Sequence, residues 1–258
     1  MPIKSMKPFR HILFFLLLTG AVASAQDYFG PLATSLPKMK AVFSKILADT
    51  PDFSANAVVG MFATNGTLLA KMPIDFALTA DRMREGIDVM QMPFPQKVRD
   101  VMQQSHLDKI DIITQTDTKK VFIVFPGIQA YQEYPISDDV LDEMTTRTKN
   151  VSIKRKEYKQ EMIENHLCTQ ATLVVSETNR PTEIAILRCA TDLQNFPIRM
   201  DILTPTSTTR FMFENVQLKK PDATLFEVPA NYTAFTNTAD IMRYAREKFQ
   251  SSSDNAPQ

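Results

Sequence analysis

Apolar and polar residues alternate most regularly between Leu68 and Thr79. Leu68, Ala70, Met72, Ile74, Phe76 and Leu78 fall on one side of an extended chain, and Lys71, Pro73, Asp75 and Thr79 on the other. A period of two predicts a strand with one buried and one wet face. The preceding run 55–63 is also β-like, and Asn65-Gly66 between them signals a hairpin. Pro73 lacks a backbone donor, which predicts a sheet edge or a bulge there. Further strands are predicted at 81–91, 110–115, 119–125, 128–134, 167–176, 183–190, 197–203 and 208–218. The run Val121–Phe125 is apolar on both faces, so cover is expected on both sides there, such as a helix or lid could provide.

The period changes in four places. Residues 36–47 put Leu36, Met39, Phe43, Ile46 and Leu47 near one helical face, with lysines on the other. Residues 96–107 read as a helix entered from Pro95, with Val98, Val101, Met102 and Leu107 inward. Residues 137–149 read as a short helix or a loop. Residues 238–249 make a closing helix with Ile241, Met242, Ala245 and Phe249 on its apolar side. Between these, 221–235 reads as a turn with an extended segment, and the strongly charged 151–161 as an exposed strand or a frayed connection. The sum is a mainly β (α+β) chain of about ten strands and three or four helices. Short connections make the sheet mostly antiparallel.

The first 25 residues stand apart from this pattern. Lys4, Lys7 and Arg10 precede an unbroken apolar run from Ile12 to Leu18, and Ala23-Ser24-Ala25 follows. That order is a secretory signal peptide cleaved between Ala25 and Gln26. The apolar run is shorter than the roughly 20 residues that span a bilayer. No Cys follows it to accept a lipid. The expected organisation is a signal peptide (1–25), one β-rich domain (26–250) and a disordered tail (251–258). The expected product is soluble, periplasmic or secreted, and without a membrane span after cleavage. The full chain carries 29 Lys+Arg and 29 Asp+Glu. Removing Lys4, Lys7 and Arg10 leaves 26 against 29, which argues against nucleic acid as a partner.

Export bears on the two cysteines, Cys168 and Cys189. Paired thiols persist in oxidising compartments, and both residues fall near predicted strands that neighbour each other in sequence. A disulfide between them is expected, with two buried reduced thiols as the alternative. No CxxC pair, GxSxG, HExxH, P-loop or dinucleotide-binding glycine pattern is present. The domain has two histidines, His106 and His166. His106 ends a predicted helix, where a structural role is expected, and His166 near Cys168 lacks further metal ligands. Asp138/Asp139 and Asp142/Glu143 read as solvated charge. No catalytic, metal or cofactor residues are assigned, and the chain is not expected to be an enzyme. The 14 Met and 17 Phe are the more informative signal. Met72, Met83, Met90, Met92, Met102 and Met200 lie on or near predicted apolar faces. They suit either an adaptable cavity for acyl chains or ordinary core filling.

Several segments together resemble a domain-of-unknown-function family of exported bacterial proteins. They are Ile110–Ile136 (IDIITQTDTKKVFIVFPGIQAYQEYPI), His166-Leu167-Cys168, Ala190–Ile198 (ATDLQNFPI) and Phe226–Tyr232 (FEVPANY). Where that family often carries a Gly before the His and a Trp before the Ala-x-Asp-Leu stretch, this chain has Asn165 and Leu187-Arg188-Cys189. The resemblance implies the fold of the periplasmic lipoprotein carriers, called LolA-like. That fold is a curved antiparallel sheet or incomplete barrel whose open side is covered by helices. It implies an apolar ligand, a lipid or a lipidated protein, held on the concave face. Met72, Ile74, Phe76, Leu78, Val121 and Ile123 are the expected wall, or a sealed core. The competing expectation is a non-enzymatic structural or interaction protein of the envelope. The oligomeric state is not legible.

Overall fold

The computed structural model describes residues 52–253 apart from 93, 94, 150, 176–182 and 205, together with residues 37, 40, 41, 43, 44, 46 and 47. The expected signal segment 1–25, its Ala25-Gln26 junction and residues 254–258 lie outside the described residues. Twelve strands make one sheet. The first six are β1 Phe53–Ala63, β2 Leu68–Leu78, β3 Arg82–Asp88, β4 Lys109–Gln115, β5 Lys120–Phe125 and β6 Ala130–Pro135. The others are β7 Val151–Ile163, β8 His166–Val175, β9 Glu183–Ala190, β10 Phe196–Leu203, β11 Ser207–Gln217 and β12 Thr233–Phe235. Their spatial order is β12-β6-β5-β4-β3-β2-β1-β11-β10-β9-β8-β7. Two meanders, β1–β6 and β7–β11, therefore stand side by side and join where β1 pairs β11. The sheet is open, with β7 and β12 at its edges. Every described pairing is antiparallel except β12 on β6.

Two strands fall where the pattern left alternatives or gave only an extended segment. β7 occupies the charged stretch 151–161, and as an edge strand it needs no apolar alternation to be held. β12 is three residues long. Pro73 is neither on an edge strand nor at a bulge, because β2 lies between β1 and β3. The reason it is tolerated is local. The β2–β3 ladder ends at Ile74–Ile87, one residue short of the proline, so no donor is required toward β3.

Helix α1 is described at Pro37, Lys40, Ala41, Phe43, Ser44 and Ile46. Helix α2 spans Gln96–Gln104, α3 Asp138–Lys149 and α4 Thr238–Ser253. α4 runs past residue 249, so 251–253 belong to it and not to a tail. Ile241 and Ala245 of α4 are buried, as its apolar face predicts, with Met242 and Phe249 packed beside them. His106 closes α2 in a left-handed conformation, φ 51°. Its ring stacks on Phe249 at 3.8 Å, and a Cβ on Gly127 would lie 2.2 Å from its carbonyl oxygen. Only glycine fits there, so the β5–β6 turn, α2 and α4 meet at this point.

The inner face of the sheet and the helices enclose one continuous apolar cluster. Its centre is a group of phenylalanines. Phe53 of β1 meets Phe196 of β10 at 4.8 Å, and Phe76 of β2 meets Phe213 of β11 at 6.0 Å. Each pair joins strands two positions apart, which a flat sheet would hold about 10 Å from one another. Their rings converge because the sheet is concave. Phe43 of α1 touches Phe76 at 5.5 Å and Phe211 at 5.8 Å, seating the helix over the same point.

A smaller apolar cluster lies on the outer face: Ala77, Ile113, Phe122 and Val124, capped by Phe226. The cover expected over Val121–Phe125 is thus a single 3-10 turn, Ala223–Phe226, whose buried residue is Phe226. Gln115 Nε2 donates to the Phe226 carbonyl at 2.7 Å and fixes it.

Replacing Phe196, which is wholly buried, by alanine removes the ring that links the two meanders. Phe196→Ala is expected to lower stability by about 3–5 kcal/mol in urea unfolding. A loss below about 1 kcal/mol would show that the phenylalanine group is not the organising contact.

Candidate ligand-binding face

Alternation along β2 turns Met72, Ile74, Phe76 and Leu78 inward, and along β5 it turns Val121 and Ile123 inward. All six are buried in the main cluster. They form two rows, separated by β3 and β4. Those strands contribute Met83 and Ile87, and Ile110 and Ile112, to the same cluster. The six expected wall residues therefore share one surface, which extends over several strands.

The same alternation puts a carboxylate on that surface. Met83, Glu85 and Ile87 are the buried residues of β3, between the half-buried Arg82, Arg84, Gly86 and Asp88. Glu85 pairs across the strands with Phe76 on one side and Ile112 on the other. It is 5% exposed. Among the described residues it has no hydrogen-bond or ion-pair partner. Burial alone pushes its pKa up to about 7. Thr114 stands opposite Met83, diagonal to Glu85 on the same face, and is fully buried with its Oγ1 unpartnered. Gln132 of β6 is another buried polar residue of this side, but it is satisfied. Its Nε2 donates to Thr236 O at 3.1 Å, and Thr238 Oγ1 donates to its Oε1 at 3.4 Å. The sequence pattern assigned no role to Glu85 or Thr114. The signal was the parity of Glu85 with Met83 and Ile87.

The covering helices are unequally seated. α1 and α4 bury residues in the cluster. α2 buries none completely: Val98 and Met102 pack on the cluster from partly exposed positions, and Val101 is 45% exposed. Lys40 of α1 is buried, but its Nζ already donates to Ala80 O at 2.6 Å. Burial lowers its pKa against the pull of Asp81 and Asp117.

Other candidate chemistry does not assemble. The expected disulfide is absent, and Cys168 and Cys189 are buried thiols. The β8–β9 register explains why. Cys168 lies opposite Ala190, and Cys189 lies opposite Thr169. The two are one step out of register, so their Cβ atoms point to opposite faces. Burial, the largest cause, raises the Cys168 pKa, with Asp192 and Glu161 adding to it, which is the reverse of an activated nucleophile. His166 Nδ1 is 2.7 Å from Asp192 Oδ2, and this hydrogen bond is what chiefly holds the Asp192 carboxyl below its usual range. Among the described residues no group of three His, Cys, Asp or Glu is placed to hold a metal, and no helix is long and apolar enough to cross a membrane. An open groove of about 520 Å³ lies on the outer face. It is polar, bordered by Asn56, Asp75, Arg84 and Asp111. Gly86 is its floor, where a Cβ would come within 3.0 Å of Asp111 Oδ1 in the Arg84–Asp111 ion pair.

No protein-family model matches the sequence, and no curated protein does. Several solved structures are similar to parts of the chain at low identity. The Mycobacterium tuberculosis lipoprotein LppX is 10% identical, covering 78% of this chain and 100% of its own, with a TM-score of 0.38. LprF from Mycobacterium bovis is 13% identical, covering 79% and 98%, with a TM-score of 0.39. A LolA superfamily protein from Nitrosomonas europaea is 9% identical, covering 75% and 97%, with a TM-score of 0.35. The LolA-like type implied by the sequence segments is thus among the similar structures. Likeness at this level carries no statement about ligand or activity.

Glu85 gives a pH signature. Its pKa is raised from 4.5 to about 7, so the folded chain holds the proton more tightly than the unfolded one. That stabilisation is complete below pH 4.5 and is lost as the pH rises through about 7, a difference of about 3 kcal/mol. Glu85→Gln is expected to match the native chain at pH 4 and to exceed its stability at pH 8 by about that amount. Urea unfolding at both values measures it, and a pH-independent difference would contradict the assignment.

Proposed function

We propose that the protein is exported and binds an apolar ligand, a lipid or a lipidated protein, against the inner face of its sheet. Met72, Ile74, Phe76, Leu78, Val121 and Ile123 are its wall. The role is binding rather than catalysis. The observation that carries this reading is α2, which lies on a broad apolar surface without fully burying one of its own residues. A helix held by partly exposed contacts can yield at small cost to an acyl chain. Each buried CH₂ of such a chain contributes about 0.8 kcal/mol, so a short tail suffices for useful affinity.

A second reading, a non-enzymatic interaction protein of the envelope, draws on one other feature. β7 is an edge strand of 13 residues, with an unpaired side able to accept another chain.

Native mass spectrometry of protein purified without detergent, followed by solvent extraction, separates the two. An added mass that is released as an amphiphile is the expected result. An empty protein that also fails to bind a hydrophobic fluorescent probe would overturn ligand carriage. In-cell cross-linking that captures one dominant protein through β7 would then favour the second reading.

A further inference from the structure

The interior holds a group that an acyl chain alone does not explain. Glu85 is the only carboxylate that the sheet turns toward its apolar cluster among the described residues, and it has no hydrogen-bond or ion-pair partner among them. A carboxylate taken out of water without a counter-charge is costly. Phe76 and Ile112 on its flanks, and Met83 and Ile87 along its own strand, offer it nothing. Lys40, the buried cation of α1, is committed to Ala80. Thr114 adds a buried hydroxyl oxygen without a partner among the described residues. Diagonal neighbours on one face of a sheet are about 7–8 Å apart, and closer at Cβ, so one small group can touch both side chains. Two carboxylate oxygens and one hydroxyl oxygen make three acceptors. An ammonium group has three donors.

We infer that Glu85 and Thr114 form the head-group site for a long-chain amphiphile that carries an amine. The inference rests on the ligand-binding reading above and names the ligand class for it. The chain of the amphiphile lies along the β2 and β5 rows, and its ammonium nitrogen sits between Glu85 and Thr114. An anionic head group is rejected, because it would place two like charges in a dry interior.

The test is displacement of N-phenyl-1-naphthylamine, a neutral fluorescent probe, from the ligand-stripped chain by dodecylamine, dodecanol or dodecanoate. At pH 8 the amine is protonated and Glu85 is ionised. Dodecylamine is expected to displace the probe at least tenfold more effectively than dodecanoate, as a charged hydrogen bond implies. Glu85→Gln is expected to reduce that ratio to within about twofold while leaving dodecanol unchanged, and Thr114→Val to weaken the amine several-fold. Equal binding of amine and carboxylate to the native chain, or an amine preference that survives Glu85→Gln, would overturn the inference and leave apolar binding standing. If neither the probe nor any of the three ligands binds, the ligand-binding reading fails, and the inference fails with it.

Discussion

The contact among Phe43, Phe53, Phe76, Phe196, Phe211 and Phe213 is the one on which the rest of the structure depends. Phe53 and Phe76 come from the first meander, Phe196, Phe211 and Phe213 from the second, and Phe43 from α1. They gather where β1 and β11 pair, the junction of the two halves. Aromatic pairs contribute about 0.5–1.5 kcal/mol beyond the area they bury. Here they also set shape. Rings from alternate strands can meet only if the sheet bends toward them, so the concavity and the packing at the junction are one fact.

That bend decides what the interior can hold. A concave sheet concentrates the inward side chains of many strands on a limited volume, and helices close it from one side. On the outer face Phe226 covers the strands around Phe122 and Val124. Asp201, also outward, is instead surrounded by charge. Burial pushes its pKa up, but hydrogen bonds from Arg199 and Arg210 outweigh this and hold it below the usual range. Among the described residues Glu85 has no such neighbours. The two acids differ in environment because they stand on opposite faces, which is a matter of parity along the strand.

Strand positions, the covering helices and the one-sided apolar rows were legible because period two and period 3.6 leave direct traces in the sequence. What was not legible depended on partners distant in the chain. The tolerance of Pro73 follows from where the β3 ladder stops. The failure of Cys168 and Cys189 to pair follows from a single step of register that spacing cannot reveal. The cover on Phe122 comes from Phe226, about a hundred residues later. Glu85 was visible as an inward position. Only the lack of a neutralising partner among the described residues, which belongs to the assembled sheet, makes it a candidate site.

The order of the strands has a consequence in time. β1 is synthesised before every other strand, and it pairs with β2 through a short hairpin. Its other neighbour, β11, is about 150 residues away and arrives last of the long strands. Local meanders form quickly, whereas contacts between distant segments form slowly. Throughout that interval the apolar edge of β1 is bare, a template for the wrong partner. A chain with this topology needs its β1 edge guarded until the second meander docks.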